Sequence, residues 1–311
     1  MNVLISSLSR KVPLLKAFQQ ALATGGLVWG ADADPECVGR YFADRFWSMP
    51  KLQATGSSQR VLEHCAREEI GLLIPTRDGE LAFFAALREE LGQQGTYTPI
   101  GSPEAVNVCL DKLRFHEHCQ RAGIPTAPTS TAIDQIEGDR FVVKQRFGMG
   151  SRELAVGLDR DGARAYGERL SAPIFQPVLE GSEHSVDLYV NRRGEVVDAA
   201  PRIRIRVHDG EATVTETVEH RELVEVALRL ATSLELRGHL VIQAFVRGSD
   251  VTLIECNPRV GGASTLGFSA GVDSVRWAIR EARGETVQPQ LGAYRRGLRL
   301  VRYPADRLVE P

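Results

Sequence analysis

The stretch from Val241 to Gly262, VIQAFVRGSDVTLIECNPRVGG, constrains the fold more than any other part of the chain. Two short apolar runs, 241–246 and 251–256, flank the turn-forming Arg247-Gly248-Ser249-Asp250, so the stretch predicts a hairpin of two largely buried strands. Side chains alternate along a strand, which sends Glu255 and Asn257 to one face and Cys256 to the other. Gln243 on the partner strand can lie opposite them. One carboxylate and two amide oxygens then converge on one spot. Such hard ligands, with too little charge to cage an ion alone, suit a Mg²⁺ that carries nucleotide phosphates. Pro258 cannot donate to a ladder and ends the second strand. Arg259 is then a fixed cation beside the metal, suited to a phosphoryl group in transfer, and Gly261-Gly262 let backbone approach a ligand. An ordinary hairpin with polar strand ends explains any one of these residues but strains to explain the set.

The first third of the chain alternates strand and helix. Strands are expected at 2–6, 27–31 and 71–75, and helices at 11–22, 61–69 and 81–91. That order means a parallel sheet with helices on its faces, whose ligands sit at the carboxyl ends of the strands. The turn after the first strand is Ser6-Ser7-Leu8-Ser9, without a glycine, which disfavours a dinucleotide site. Asp32, Asp34 and Thr76-Arg77-Asp78 fall at strand ends, where substrate contact and plain turn or cap chemistry are both open.

Further on, Ser102-Pro103 starts a helix expected to run through Asp111-Lys112, and a second helical run ends at Gly123. Phe141–Lys144 is a strand with a lysine at its end, followed by Gln145-Arg146-Phe147-Gly148-Met149-Gly150-Ser151-Arg152 and another strand from Glu153. A lysine before a glycine loop supplies a point charge and a flap of backbone N–H groups for phosphates. In Arg202-Ile203-Arg204-Ile205-Arg206, period two puts three guanidiniums on one face, either solvated or facing an anionic substrate. His116 and His118 lie two apart on a helix and face different ways, so they do not form a metal pair.

These motifs, in this order, resemble the ATP-grasp superfamily, in particular the ATP-grasp module of the carbamoyl-phosphate synthetase large subunit. The likeness lies in Lys112 after its aspartate, in Lys144 with its glycine loop, in Gln176 with Glu183 seven positions later, and in Gln243 followed by Glu255-x-Asn-Pro-Arg259. Gln145 and Glu153 depart from the proline and glycine of the family loop. The resemblance implies an α/β lobe over 1–105 and a two-sublobe α+β ATP-grasp domain over 106–290 (112–178 and 179–290), with a tail at 291–311 packed on it. It implies ATP held by Lys112, Lys144, Gly148, Gly150, Ser151, Gln176, the backbone of Val178 and Leu179, and Glu183. Because Pro177 lacks an N–H, the adenine contact is expected to shift to Leu179. Gln243, Glu255 and Asn257 would bind Mg²⁺, with Mn²⁺ as a substitute. Arg259 and Lys144 would act in catalysis, and Arg202, Arg204 and Arg206 on substrate. The implied activity is an ADP-forming carboxylate–amine ligase, in which an acyl phosphate is made and then attacked by an amine.

The remaining bounds agree. A formal charge of −2 leaves no nucleic-acid footprint, and no apolar run is long enough to span a membrane. Five scattered cysteines without a Cys-x-x-Cys pair suit a reducing cytoplasm. The expected partners are therefore small-molecule carboxylate and amine substrates, with a homodimer as the protein partner left open. A non-catalytic ATP-binding sensor is the alternative, and loss at Glu255, Asn257 or Arg259 would have favoured it.

Overall fold

The computed structural model describes residues 1–148 and 153–309. The N-terminal lobe holds β1 (Asn2–Ile5), α1 (Val12–Leu22), β2 (Val28–Asp32), β3 (Arg45–Ser48), α2 (Ser57–Arg67), β4 (Ile70–Ile74) and α3 (Asp78–Gln93). Its four strands are parallel in the order β3-β2-β1-β4. Val3 and Ile5 pack with Leu15 and Phe18 on one side, whereas Leu4 packs with Leu62 and Phe84 on the other. Burial on both faces is why the strand reads as a continuous apolar run.

Two helices follow, α4 (Pro103–Leu110) and α5 (Lys112–Arg121). They are not one helix through Asp111-Lys112. Asp111 leaves helical geometry and caps α5, its Oδ1 accepting from the N–H of Leu113 at 3.1 Å and of Arg114 at 3.3 Å. The next sublobe is an antiparallel sheet, β6-β5-β7, built from β5 (Phe141–Gln145), β6 (Leu154–Leu158) and β7 (Pro173–Pro177), with α6 (Arg160–Gly167) against it.

The last sublobe is a six-stranded antiparallel sheet in the order β12-β11-β8-β9-β10-β13. Its strands are β8 (Ser182–Val190), β9 (Val196–His208), β10 (Glu211–Thr217), β11 (Gly238–Arg247), β12 (Asp250–Asn257) and β13 (Arg299–Val301). Helix α7 (Arg221–Ser233) lays Leu223, Val226, Ala227 and Leu230 on Val186, Leu188, Ile242, Ala244 and Cys256 of the sheet. The short α8 (Thr265–Ala270) and α9 (Ser274–Ala282) connect back to the N-terminal lobe. There the buried carboxylate of Glu281 accepts from Tyr189 at 2.7 Å and Tyr97 at 3.0 Å, tying α9, β8 and the N-terminal lobe together. Among the described residues no helix is long and apolar enough to cross a membrane.

Candidate active site

The face of β11 that does not meet α7 carries Val241, Gln243 and Phe245, and these line a cavity of about 580 Å³ between the three-stranded and six-stranded sheets. Gln243 is paired directly with Glu255, and Val241 with Asn257, so the expected convergence holds. Cys256 points into the core. A bulge between Gln243 and Ala244 leaves Ile254 without a partner. It reverses the alternation: Leu253 turns to the core, and Ile254 joins Glu255 on the cavity wall.

Lys144 enters the cavity from β5 of the three-stranded sheet, and Lys112 from the start of α5. Lys112 Nζ donates to the carbonyls of Gly148 at 3.0 Å and Arg146 at 3.4 Å. Burial lowers its pKa, opposed by Glu255, Asp78 and Asp111. Arg146, to which the sequence pattern assigns no role, makes a two-point pair with Asp111 at 2.7 and 2.6 Å. The aspartate before Lys112 thus caps a helix and anchors the start of the glycine loop. The Lys144 ammonium makes no hydrogen bond among the described residues, and burial brings its pKa down to about 8 although Glu255 opposes the shift. Gly148 lines the cavity, whereas Gly150 and Ser151 lie outside the described residues.

Val142, Leu154, Val156, Gln176, Val178, Leu179 and Ile254 form the apolar end. Gln176 is buried and donates to Thr129 Oγ1 at 2.8 Å. The Val178 N–H is taken by the carbonyl of Arg140 at 2.9 Å, while that of Leu179 has no partner among the described residues. Glu183 sits beside Arg204, Oε1 to Nε 3.2 Å, without hydrogen-bond geometry, so that Nε stays an unpaired buried donor. Burial raises the pKa of Glu183 and Arg204 opposes the rise.

At the opposite end stand Arg202, Arg204, Glu211, Arg259, Gly261 and Gly262. Arg206 is a correction to the sequence expectation. Ile205 is an extra residue between the pairs Arg204–Thr215 and Arg206–Val214, so the period of two breaks and Arg206 turns out to solvent. Val207 takes its place in the wall. Arg202 is committed to Asp187, Nε to Oδ2 2.6 Å. Arg259 is bound at two points by Asp78 of the N-terminal lobe, one of them Nη2 to Oδ2 at 3.0 Å. Burial disfavours the charged form of Arg259, but Asp78 more than compensates and its pKa is raised.

The donor set at the hairpin fits a hard divalent ion. Gln243, Glu255 and Asn257 can supply two amide oxygens and a carboxylate with one negative charge, which leaves coordination positions for waters and phosphates. Asn257 Nδ2 donates to Glu255 Oε1 at 3.0 Å, so its own oxygen is directed away from the carboxylate, towards Arg259 Nη2 at 3.3 Å. An ion here would have to turn that amide.

Three comparisons bear on this architecture. Residues 170–303 match the family model described as ATP-grasp in the biosynthetic pathway with Ter operon, and residues 3–100 match the PylC-like N-terminal domain. The chain is homologous to the ATP-grasp module of the carbamoyl phosphate synthase large chain, and its C-terminal part matches an ATP-grasp family model. The carbamoyl phosphate synthase large chain of Vibrio cholerae is 30% identical over 218 residues, covering 61% of this chain and 20% of that protein. The large chain of Thermus thermophilus is 27% identical over 288 residues, covering 83% and 27%. The chain thus spans only a fifth to about a quarter of the length of these curated relatives. Among solved structures, the biotin carboxylase complex of Campylobacter jejuni superposes with a TM-score of 0.74 at 17% identity, covering 96% of this chain and 74% of that one. The N5-carboxyaminoimidazole synthetase of Staphylococcus aureus, complexed with ADP, gives 0.74 at 16% identity, covering 93% and 78%. These likenesses show that the mixed α/β architecture is the ATP-grasp fold.

Proposed function

We propose that the chain is an ATP- and Mg²⁺-dependent ligase that phosphorylates a small-molecule carboxylate and couples the acyl phosphate to an amine, releasing ADP and phosphate. The observation that carries this reading is the pairing of Gln243 with Glu255 directly across a cavity from Lys144, with Asn257 and Arg259 beside them. Phosphoryl transfer asks for positioning and charge neutralisation more than for covalent help. Solved structures of the same fold are complexes with ADP, MgADP or an ATP analogue, which supports a nucleotide in the cleft.

In this reading adenine lies against Val142, Leu154, Val156 and Ile254, with the Leu179 N–H as its backbone donor. Glu183 meets the ribose. Lys112, Lys144 and the N–H groups of the glycine loop hold the phosphates, and Gln243, Glu255 and Asn257 hold Mg²⁺. Bound Mg²⁺ would neutralise charge on the phosphates; Arg259 does so on the group in transfer, and Arg202 and Arg204 face the carboxylate acceptor. The test is ADP release from Mg-ATP with pooled carboxylates and amines, for wild type and Glu255→Ala. Acceptor-dependent release that disappears in the variant is the expected result. Tight Mg-ATP binding without turnover in any pool would instead favour a nucleotide sensor, and absence of ATP binding would sink both readings.

A further inference from the structure

Behind the acceptor end of the cavity lies a buried polar cluster of which the proposed chemistry uses only Arg202. Asp187, on β8, is fully buried. Its Oδ2 accepts from Arg202 Nε at 2.6 Å, and its Oδ1 accepts from Ser264 Oγ at 2.5 Å. His239 Nε2 lies 3.3 Å from the same Oδ1 and 2.9 Å from Ser264 Oγ. Ser264 Oγ also accepts the Gly261 N–H at 2.9 Å. Since that hydroxyl spends its one proton on Asp187, His239 must donate to it, which places a proton on Nε2. His239 Nδ1 faces Ser274 Oγ at 2.8 Å.

Serine, histidine and aspartate together suggest a nucleophilic triad, but the geometry refuses one. Ser264 is fully buried, and its proton goes to the carboxylate, not to the imidazole. Nothing could reach the oxygen. What the cluster does touch is the cavity wall, at two places. Arg202 lines the cavity directly, and Gly261, Gly262 and Ala263 form the turn that Ser264 closes. Helix α8 seals the carboxylate from above: a Cβ on Gly267 would come within 3.0 Å of the Cβ of Asp187.

A buried ion pair contributes little stability over an apolar replacement, so its presence calls for a geometric use. We propose that Asp187 is the positioning residue of the acceptor half of the site, fixing the Arg202 guanidinium with one oxygen and the Gly261–Ser264 turn with the other. This rests on the ligase reading above, which puts the acceptor at that end. Both walls are then set by one rigid carboxylate, and a shift of either would move the acceptor relative to the phosphate in transfer.

The test uses the full chain with Asp187→Asn, which keeps the shape and removes the charge, and Ser264→Ala, which removes only the arm to the turn. For Asp187→Asn, acceptor-dependent ADP release is expected to fall about 100-fold with a raised acceptor KM, while the Mg-ATP Kd stays within about twofold. Hydrogen exchange of the 259–264 segment is expected to rise about tenfold, with the 174–179 segment unchanged. Ser264→Ala should reproduce the exchange change with a smaller loss of turnover, and it carries the test if Asp187→Asn does not fold. Turnover within about twofold of wild type, or Mg-ATP affinity falling in step with turnover, overturns the proposal. If wild type turns over no acceptor, the ligase reading fails separately. Exchange then decides for Asp187, with an unchanged 259–264 segment overturning it.

Discussion

Gln145 and Glu153, the two residues at which the glycine loop departs from the pattern it otherwise resembles, are hydrogen-bonded to each other, Nε2 to Oε2 at 2.9 Å. The two departures therefore form one feature, a clasp across the two ends of the loop. Glu153 holds a φ of 54°, the left-handed conformation that a glycine adopts freely. The clasp is exposed and worth about 0.5 kcal/mol, whereas the strained backbone costs about 1 kcal/mol. Glu153→Gly is accordingly expected to leave the melting temperature unchanged or slightly raised while exchange of residues 145–148 and 153 accelerates. Glu153→Ala keeps the strain and loses the bond, and should lower stability by about 0.5 kcal/mol. Equal loop exchange in wild type and both variants would show that the clasp holds nothing.

The pair between Arg259 and Asp78 links the arginine-lined end of the cavity to the first residue of α3, and both side chains are mostly buried, 17% and 12% exposed. Removing one partner of such a pair leaves a charge without compensation. Asp78→Asn should therefore destabilise the chain by about 2–3 kcal/mol, somewhat below the range for a fully buried pair. Turnover should fall as well, since Arg259 is left held by the weaker contact to Asn257. Urea unfolding of Asp78→Asn, Arg259→Gln and the double variant checks the coupling. The double variant should be clearly more stable than the sum of the singles predicts, and strict additivity would contradict the pairing.

The hairpin was legible because its signal is local: a turn between two apolar runs, with polar residues two apart near the second strand's end. The bulge at Ile254 was not, because one extra residue leaves no mark in the composition. A second bulge, on β9, sets Arg206 apart from the other two arginines. Strict alternation from Arg202 to Arg206 is real in the sequence, and the ladder breaks it at Ile205. Strand β10, EATVTET, is short and mostly polar, and it is held by its neighbours β9 and β13 more than by its own pattern. The apolar lining by Val142, Leu154 and Val156 was missed for a different reason. An apolar residue on a strand reads as core, and only the facing sheet shows that it borders a cleft.

Stability should also respond to pH at a place remote from the site. His64 is buried, stacked on Trp47 with ring centroids 3.8 Å apart, and its Nδ1 faces the Arg67 guanidinium at 3.0 Å. Burial first and Arg67 second push its pKa from 6.5 down to about 4. The folded chain thus keeps the imidazole neutral while the unfolded chain takes up a proton below 6.5. Between about pH 6.5 and 4 the unfolded state binds more protons, so stability falls as pH falls. Going from pH 7 to 5 should remove about 2 kcal/mol through this one group. His64→Phe retains an aromatic ring on Trp47 and removes the titration, so its urea midpoint should fall less over the same interval. Parallel curves for the two proteins would rule His64 out as the source.

The backbone at the apolar end makes the sharpest demand on a nucleotide. Pro177 has no N–H, and the N–H of Val178 already donates to Arg140 at 2.9 Å. Of three consecutive positions only Leu179 retains a free donor among the described residues, and it lines the cavity. An adenine ring has an acceptor nitrogen on the edge that would face this backbone, so loss of that single donor should be felt directly. Leu179→Pro deletes the N–H, whereas Leu179→Ala keeps it and trims the side chain. The proline variant is expected to weaken Mg-ATP binding by about 1–1.5 kcal/mol, roughly tenfold in Kd, and the alanine variant by much less. Titration with Mg-ATP and with tripolyphosphate separates base from phosphate contacts. If the proline variant loses affinity for both ligands alike, the defect is in the fold of the linker, and the base is held elsewhere. If it loses affinity for Mg-ATP alone, the Leu179 N–H is the adenine donor.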